Sequence, residues 1–295
     1  MYQDFYNLKE FPFNQYPNID YYYQLEHHQK SLDVLMVGLQ VNDGMIKITG
    51  QPGTGKSLLC RLFIEKIADH DYPVYVMNPY FTYPELLELI ATKLKIKSDP
   101  DADPGQLLRL IQAKTARLKK KSKRLVLLFD EAQYLSKENL EIIQILGNLE
   151  CAGSKLCQIV LIGGLDLDEK LRASSHLLQR ISFSYTLQPI KRSDLNNYVF
   201  HRIAKATMAE KEHGITIGPR ASRLLYKKTQ GIPRLINIVC HKALMLAYSR
   251  SERHLTKKLI AKAVIDTECT ARSPGFWRKA LSRARSLLGA TSPSS

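Results

Sequence analysis

The stretch "MIKITGQPGTGKSLLCRLFIEKIA", residues 45–68, decides how this chain folds. Residues 45–50 form an apolar run of single-strand length, and "KSLLCRLFIEKIA" repeats its apolar residues at helical spacing. Between them "GQPGTGKS", Gly50 to Ser57, fits G-x-x-x-x-G-K-[ST], and a strand before it with a helix after it is the context that pattern requires. Gly53 and Gly55 let backbone N–H groups face a triphosphate, while the helix N-terminus adds positive potential. Lys56 is the residue type that reaches the β and γ phosphates, and Ser57 the type that helps hold Mg²⁺. The candidate nucleotide contacts are therefore Gly50, Gln51, Pro52, Gly53, Thr54, Gly55, Lys56, Ser57 and Leu58. A glycine-rich turn matching by chance is the competing reading, and the flanks weigh against it.

Strand and helix signals continue on both sides of the loop. Upstream, "HQKSLDVLMVGL" at 28–39 spaces Leu32, Leu35, Met36 and Leu39 as on a helix, and residues 1–30, rich in Tyr, Phe and Pro, read as an ordered lead-in. Downstream, strands are predicted at 72–78, 124–130, 157–164 and 181–190, separated by amphipathic helices such as "YPELLELIATKL", "PGQLLRLIQAKTARL" and "KENLEIIQILGNLE". This alternation predicts an α/β domain, a parallel sheet sandwiched by helices. After Pro189 the strand signals stop. Four helical segments follow, "SDLNNYVFHRIAKATMA", "PRASRLLYKKT", "PRLINIVCHKALMLAYS" and "TKKLIAKAVIDTE", each opened by Ser, Thr or Pro. The expected organisation is an α/β nucleotide-binding domain with its lead-in at 1–190, a small all-helical lid at 191–270 and a basic tail at 271–295.

A phosphate loop needs an acidic position on a neighbouring strand, and "LVLLFDEAQ" at 125–133 supplies one. Asp130 follows an apolar run and can bind the metal through water. Glu131 can orient or deprotonate the attacking water. At the next strand end, "VLIGGLDLDEKL" carries Gly163 and Gly164 where ATPases of this type place a polar side chain facing the γ-phosphate. A tight turn needing positive φ is the simpler reading of at least one of that pair. Arg172 and Arg180 lie on "LRASSHLLQRI"; Arg180 reads either as an arginine finger toward a neighbouring subunit or as a solvated helix-end charge. In "QGIPRLIN", 230–237, the Gly and Pro punctuate a helix-helix turn, which leaves Arg234 unexplained.

Composition sets the outer limits. Among 295 residues, 43 Lys and Arg against 28 Asp and Glu give a net charge of +15, which favours an anionic partner without choosing among nucleic acid, membrane and phosphate. Five cysteines, scattered and without metal-ligand spacing, read as reduced thiols. The N-terminus lacks a secretory pattern, and no stretch approaches the ~20 apolar residues of a membrane-spanning helix. A cytoplasmic location follows as the expectation.

Taken together, these residues resemble the AAA+ ATPases, and more narrowly the general secretion pathway protein A family. The resemblance rests on Phe11 to Phe13, His28, Gly50 to Ser57, Asp130 to Gln133 with Leu135, Leu161 to Leu171, Gln179 to Ile181 and Gly231 to Asn237. It runs from about residue 1 to 268 and implies a P-loop AAA+ core with a helical lid, binding ATP and Mg²⁺ and hydrolysing ATP. It also implies that Arg234 is the sensor-2 arginine and makes Arg180 the arginine finger candidate. One departure concerns Gly163-Gly164, where the family usually has Gly-Gln, which implies slow hydrolysis or a substitute side chain. Larger members continue into a membrane helix and a periplasmic peptidoglycan-binding region, absent from these residues. The ATPase-only form is similar to members serving the mannose-sensitive haemagglutinin (MSHA) pilus, a type IV pilus. The implied partners are other copies of the chain, assembling in ATP, and inner-membrane assembly proteins of a pilus or type II secretion machine. The implied location is cytoplasmic and peripheral at the inner membrane.

Two other partners stay open. The +15 charge and the basic run "RLKKKSKR" at 117–124 suit a DNA-binding ATPase resembling TniB-type transposition regulators, although lysine runs are commonly solvated loops. In the tail, "GFWRKALSRARSLL" gathers Phe276, Trp277, Leu281 and Leu288 near one helical face, as expected for an anionic membrane surface or for docking on protein.

Overall fold

The computed structural model describes residues 2–267 except 78, 79, 98, 100, 101, 152 and 174, so the expectation for the tail lies outside the described residues. The chain divides into two compact units, Pro17–Gln188 and a second formed by Met1–Tyr16 with Pro189–Ser295.

The first unit is built on a five-stranded sheet: β1 (Met45–Gly50), β2 (Tyr72–Val76), β3 (Leu125–Phe129), β4 (Cys157–Gly163) and β5 (Ile181–Leu187). Every pairing is parallel, and the spatial order is β2-β3-β4-β1-β5. Its helices are α1 (Glu26–Val41), α2 (Lys56–Ile67), α3 (Tyr83–Lys93), α4 (Pro104–Lys120), α5 (Lys137–Gly147) and α6 (Asp166–Arg172). Alternate residues of each strand serve opposite faces. Leu125, Leu127, Phe129, Ile159 and Leu161 pack with residues of α3, α4, α5 and α6, such as Leu87, Ile111, Ile143 and Leu167. Ile46, Ile48, Val126, Leu128, Val160 and Ile162 pack with Leu35 of α1 and with Leu59 and Phe63 of α2. A strand covered on both faces needs no polar alternation, which is why β3 and β4 read as unbroken apolar runs and are buried throughout.

β1 ends where the sequence predicts, and the other four strands end one to three residues earlier, because the last residues of each run have already turned into the following loop. A two-residue antiparallel pair, Glu150–Cys151 with Ser154–Lys155, has no periodic signal and goes unpredicted. Because the strands are parallel, the loops leaving β3, β4 and β1 stand side by side at one edge of the sheet.

The second unit holds α7 (Leu195–Ala206), α8 (Pro219–Thr229), α9 (Pro233–Tyr248) and α10 (Lys257–Ile265). Val199, Ile203, Leu225, Ile236, Val239, Leu244, Leu259 and Ile260 are buried in it. It also contains a short parallel pair, Thr216–Ile217 with His254–Leu255, where the sequence reading has only helices. The sequence attached residues 1–16 to the α/β domain, whereas their contacts place them with the helices. The Tyr2 hydroxyl bonds His241 Nδ1 at 2.9 Å, Tyr6 donates to the Glu252 carbonyl at 2.9 Å, and Arg202 Nε donates to the Pro12 carbonyl at 2.8 Å. Aromatic residues that bury a ring and keep the hydroxyl bonded account for that attachment. Cys60, Cys157 and Cys240 are buried free thiols and Cys151 an exposed one.

Between α8 and α9, Gln230 and Gly231 take left-handed conformations, with φ of 50° and 74°. Gly231 lies so close to residue 190 that a Cβ would stand 2.1 Å from the Ile190 carbonyl oxygen, while Ile190 N–H donates to the Gly231 carbonyl at 2.9 Å. Gly231→Ala is expected to destabilise the helical unit by more than about 1 kcal/mol in thermal or urea unfolding. An unchanged midpoint would show that the turn relaxes around a side chain.

Candidate functional site

The loop leaving β1 wraps into the first turn of α2, whose N-cap is Gly55 at φ 103°. Its carbonyl groups are bonded inward. Lys56 Nζ donates to the carbonyls of Gly50 at 3.0 Å and Gln51 at 3.3 Å, and the Thr54 hydroxyl donates to the Gln51 carbonyl at 2.8 Å. From α1, the buried His28 places Nε2 at 3.1 Å from the Thr54 carbonyl. That carbonyl can only accept, so Nε2 carries the proton. A Cβ on Gly55 would stand 2.9 Å from the same nitrogen, so the loop and the imidazole fit only with glycine there. Thr54 and Lys56 are buried, Gly53, Gly55, Ser57 and Leu58 are half-buried, and Gln51 and Pro52 are exposed.

Asp130 leaves the end of β3 and meets the loop directly. Ser57 Oγ donates to Asp130 Oδ2 at 2.7 Å, and the Tyr75 hydroxyl of β2 donates to the same oxygen at 2.7 Å. The Glu131 N–H donates to Asp130 Oδ1 at 2.9 Å, and Glu131 itself is in the left-handed region at φ 53°. A non-glycine residue held there is strained, and such strain gathers at functional positions. Burial raises the Tyr75 hydroxyl far above the usual tyrosine range, with the negative charge of Asp130 adding to it, so Tyr75 stays a donor.

Lys56 is 6% exposed, and among the described residues the hydrogen-bond acceptors of its ammonium are two neutral carbonyls. Burial holds it below the usual lysine range, with Glu131 and Asp130 pulling the other way. A buried cation bonded only to carbonyls fits an anionic ligand that supplies charged oxygens. The Ser57 hydroxyl and the Asp130 carboxylate are hard oxygen donors at one point, which fits Mg²⁺ accompanying phosphates.

Within the α/β unit, Arg172 and Arg180 stand apart from this cluster. Ile181, next to Arg180, pairs with Met45 at the start of β1, whereas the loop leaves the other end of β1. Five residues of strand, about 17 Å, separate those ends. Arg180 is exposed there and cannot serve the loop of its own unit; Arg172 is exposed at the end of α6. Arg234 is exposed on the first turn of α9 in the helical unit. Three participants had no assigned role in the sequence. His28 and Gln133 were noted only as parts of a resemblance, and Tyr75 carries no signal beyond its place on a strand.

Burial depresses His28 to about 4, against 6.5 for an ordinary histidine, so the ring is neutral at pH 7. Unfolding therefore takes up a proton below pH 6.5. The stability contributed by the neutral ring is present above that pH and is lost as pH falls toward about 4. His28→Gln keeps a donor for Thr54 but does not titrate. Urea midpoints measured from pH 7 to 4 should fall less steeply in the variant, and equal slopes would refute the burial account.

The AAA domain family matches residues 39–171, the segment holding β1 to β4 and the loop. General secretion pathway protein A of Aeromonas hydrophila is 35% identical over 295 residues, covering 99% of this chain and 53% of that protein. The chain thus spans about half the length of the curated relative it matches. Among solved structures, Cdc6p of Pyrobaculum aerophilum matches with a TM-score of 0.66 at 17% identity, over 85% of this chain and 69% of its own. The Aeropyrum pernix ORC2 protein matches at 0.63 and 16% identity, over 86% and 70%. These two share the fold. With its AAA domain match and 35% identity over 99% of its residues, this chain is similar to general secretion pathway protein A.

Proposed function

We propose that the chain binds Mg-ATP and hydrolyses it. The observation that carries this reading is the 2.7 Å contact of Ser57 Oγ with Asp130 Oδ2, which joins the phosphate loop to the acidic end of β3 with Glu131 next in line. Gly53, Gly55 and Lys56 would hold the phosphates with backbone N–H groups, and Lys56 would exchange its carbonyl partners for phosphate oxygens. Ser57 and Asp130 would hold Mg²⁺, which supplies neutralisation of the charge that gathers on the phosphates. Glu131 is close enough to Asp130 to share the site, and its carboxylate is the group suited to take a proton from water.

Lys56→Ala is expected to abolish nucleotide binding in an equilibrium titration. Glu131→Gln should bind within about threefold of wild type and turn over at least ~100-fold more slowly. Turnover of Glu131→Gln at the wild-type rate would remove Glu131 from the reaction.

For the biological setting we propose a secretion machine, as in the name of general secretion pathway protein A, and, from the sequence resemblance alone, a nucleotide-dependent assembly factor for a type IV pilus of the MSHA kind, working at the cytoplasmic side of the inner membrane. Arg180, exposed at the sheet end remote from its own phosphate loop, is suited to reach a neighbouring copy, and Arg234 is the nucleotide-responsive candidate of the helical unit. Turnover per subunit should rise with protein concentration, and Arg180→Ala should abolish that rise. A rate independent of concentration would refute action between subunits.

A second reading, DNA binding, rests on the exposed Lys119, Lys120 and Lys121. They sit at the C-terminal end of α4, where the helix's own partial negative charge already accounts for them, so this reading ranks below the first. No duplex binding near 50 mM salt would exclude it.

A further inference from the structure

Gln133 connects three structural elements. Its Nε2 donates to Glu131 Oε2 at 2.6 Å, its Oε1 accepts from the Gly164 N–H at 2.8 Å, and its main-chain carbonyl accepts from Lys170 Nζ of α6 at 2.8 Å. The orientation of the carboxamide is determined by its partners, because an amide N–H only donates and a carboxylate only accepts. A glutamine carboxamide carries a donor and an acceptor on one planar group, which serves the carboxylate on one side and the N–H on the other.

Neither glycine at the end of β4 takes the positive φ expected of a tight turn; the pair instead makes room for that side chain. A Cβ on Gly163 would stand 2.6 Å from Gln133 Oε1, and one on Gly164 would stand 2.3 Å from Asp166 Oδ1 and 3.6 Å from Gln133 Cδ. The space left by the side chain that the sequence finds missing at this turn is thus occupied by Gln133 from the neighbouring strand end. Helix α6 is itself anchored to β1, since Lys47 in the middle of that strand pairs with Asp168. The Gln133 backbone therefore rests on a fixed element.

We propose that Gln133 is a positioning residue for Glu131, holding one carboxylate oxygen so that the other is presented to water, and that it takes over the place of the absent side chain at Gly163-Gly164. Gln133 touches neither water nor nucleotide in this role. The two bonds hold the Glu131 side chain in register with the end of β4, the strand that separates β3 from β1. They also help to hold Glu131 in its left-handed conformation, because Gln133 lies two residues along the same turn.

This inference rests on the hydrolase reading above, and its controls keep the two apart. Wild type, Gln133→Ala and Gln133→Glu are compared for kcat and KM with Mg-ATP, for equilibrium nucleotide affinity, and for amide hydrogen exchange at Gly164 in nucleotide-free protein. Gln133→Ala removes both bonds: kcat should fall about 10- to 100-fold with KM and affinity within about threefold, and Gly164 should lose its protection. Gln133→Glu still offers an oxygen to Gly164 but no donor to Glu131, so it should keep the protection and lose kcat. Wild-type kcat in both variants overturns the inference, as does a fall in affinity and melting temperature that matches the fall in kcat. If wild type hydrolyses no ATP, or Glu131→Gln turns over as fast as wild type, the hydrolase reading fails and this inference fails with it. If those controls hold and the Gln133 variants behave as wild type, this inference alone fails.

Discussion

A loop that presents N–H groups to an anion must turn its carbonyl oxygens elsewhere, and each oxygen turned inward needs a donor. In this chain the carbonyls of residues 50, 51 and 54 are satisfied by the Lys56 ammonium, the Thr54 hydroxyl and the His28 imidazole. The rest of the α/β unit keeps that arrangement in place. Helix α1 must lie against the sheet for His28 to arrive from outside the loop, and Leu32, Leu35 and Leu39 on the same helix are the residues that hold it there. Residue 55 must be glycine both for its φ of 103° and for the imbedded ring beside it.

The acidic end of β3 depends on the same constraint. Asp130 accepts from Ser57, Tyr75 and the next backbone N–H, three donors from two strand ends and one helix. A buried carboxylate is tolerable only when paired or hydrogen-bonded in this way. The cluster is therefore rigid around Asp130 and becomes strained at Glu131, where the chain turns back on itself in a left-handed conformation.

Much of this was written in local sequence. The alternation of strand and helix, the glycine spacing between β1 and α2, and the apolar run ending in Asp130 and Glu131 are short-range patterns, because each reflects which face of one element is buried or which backbone angles one turn needs. The attachment of residues 2–16 was misplaced for the opposite reason. Tyr2 and Tyr6 look like generic aromatic packing, and nothing within 30 residues of them says that their partners are His241 and Glu252. The short strand pair at 216–217 and 254–255 is hidden in the same way, since two residues carry no period.

The sequence by itself determined the element types, the parallel sheet and the residues from Gly50 to Ser57, since a strand, a phosphate-type turn and a helix follow from periodicity and glycine placement. Only the tertiary structure decided strand order, and with it which loops became neighbours. It brought Asp130 to Ser57 across 73 positions, His28 to Thr54 across 26 and Gln133 to Gly164 across 31. It also placed Arg180 at the far end of β1 from the loop. Such contacts depend on how separate elements stack around a shared core, and a pattern confined to one element does not encode its neighbour.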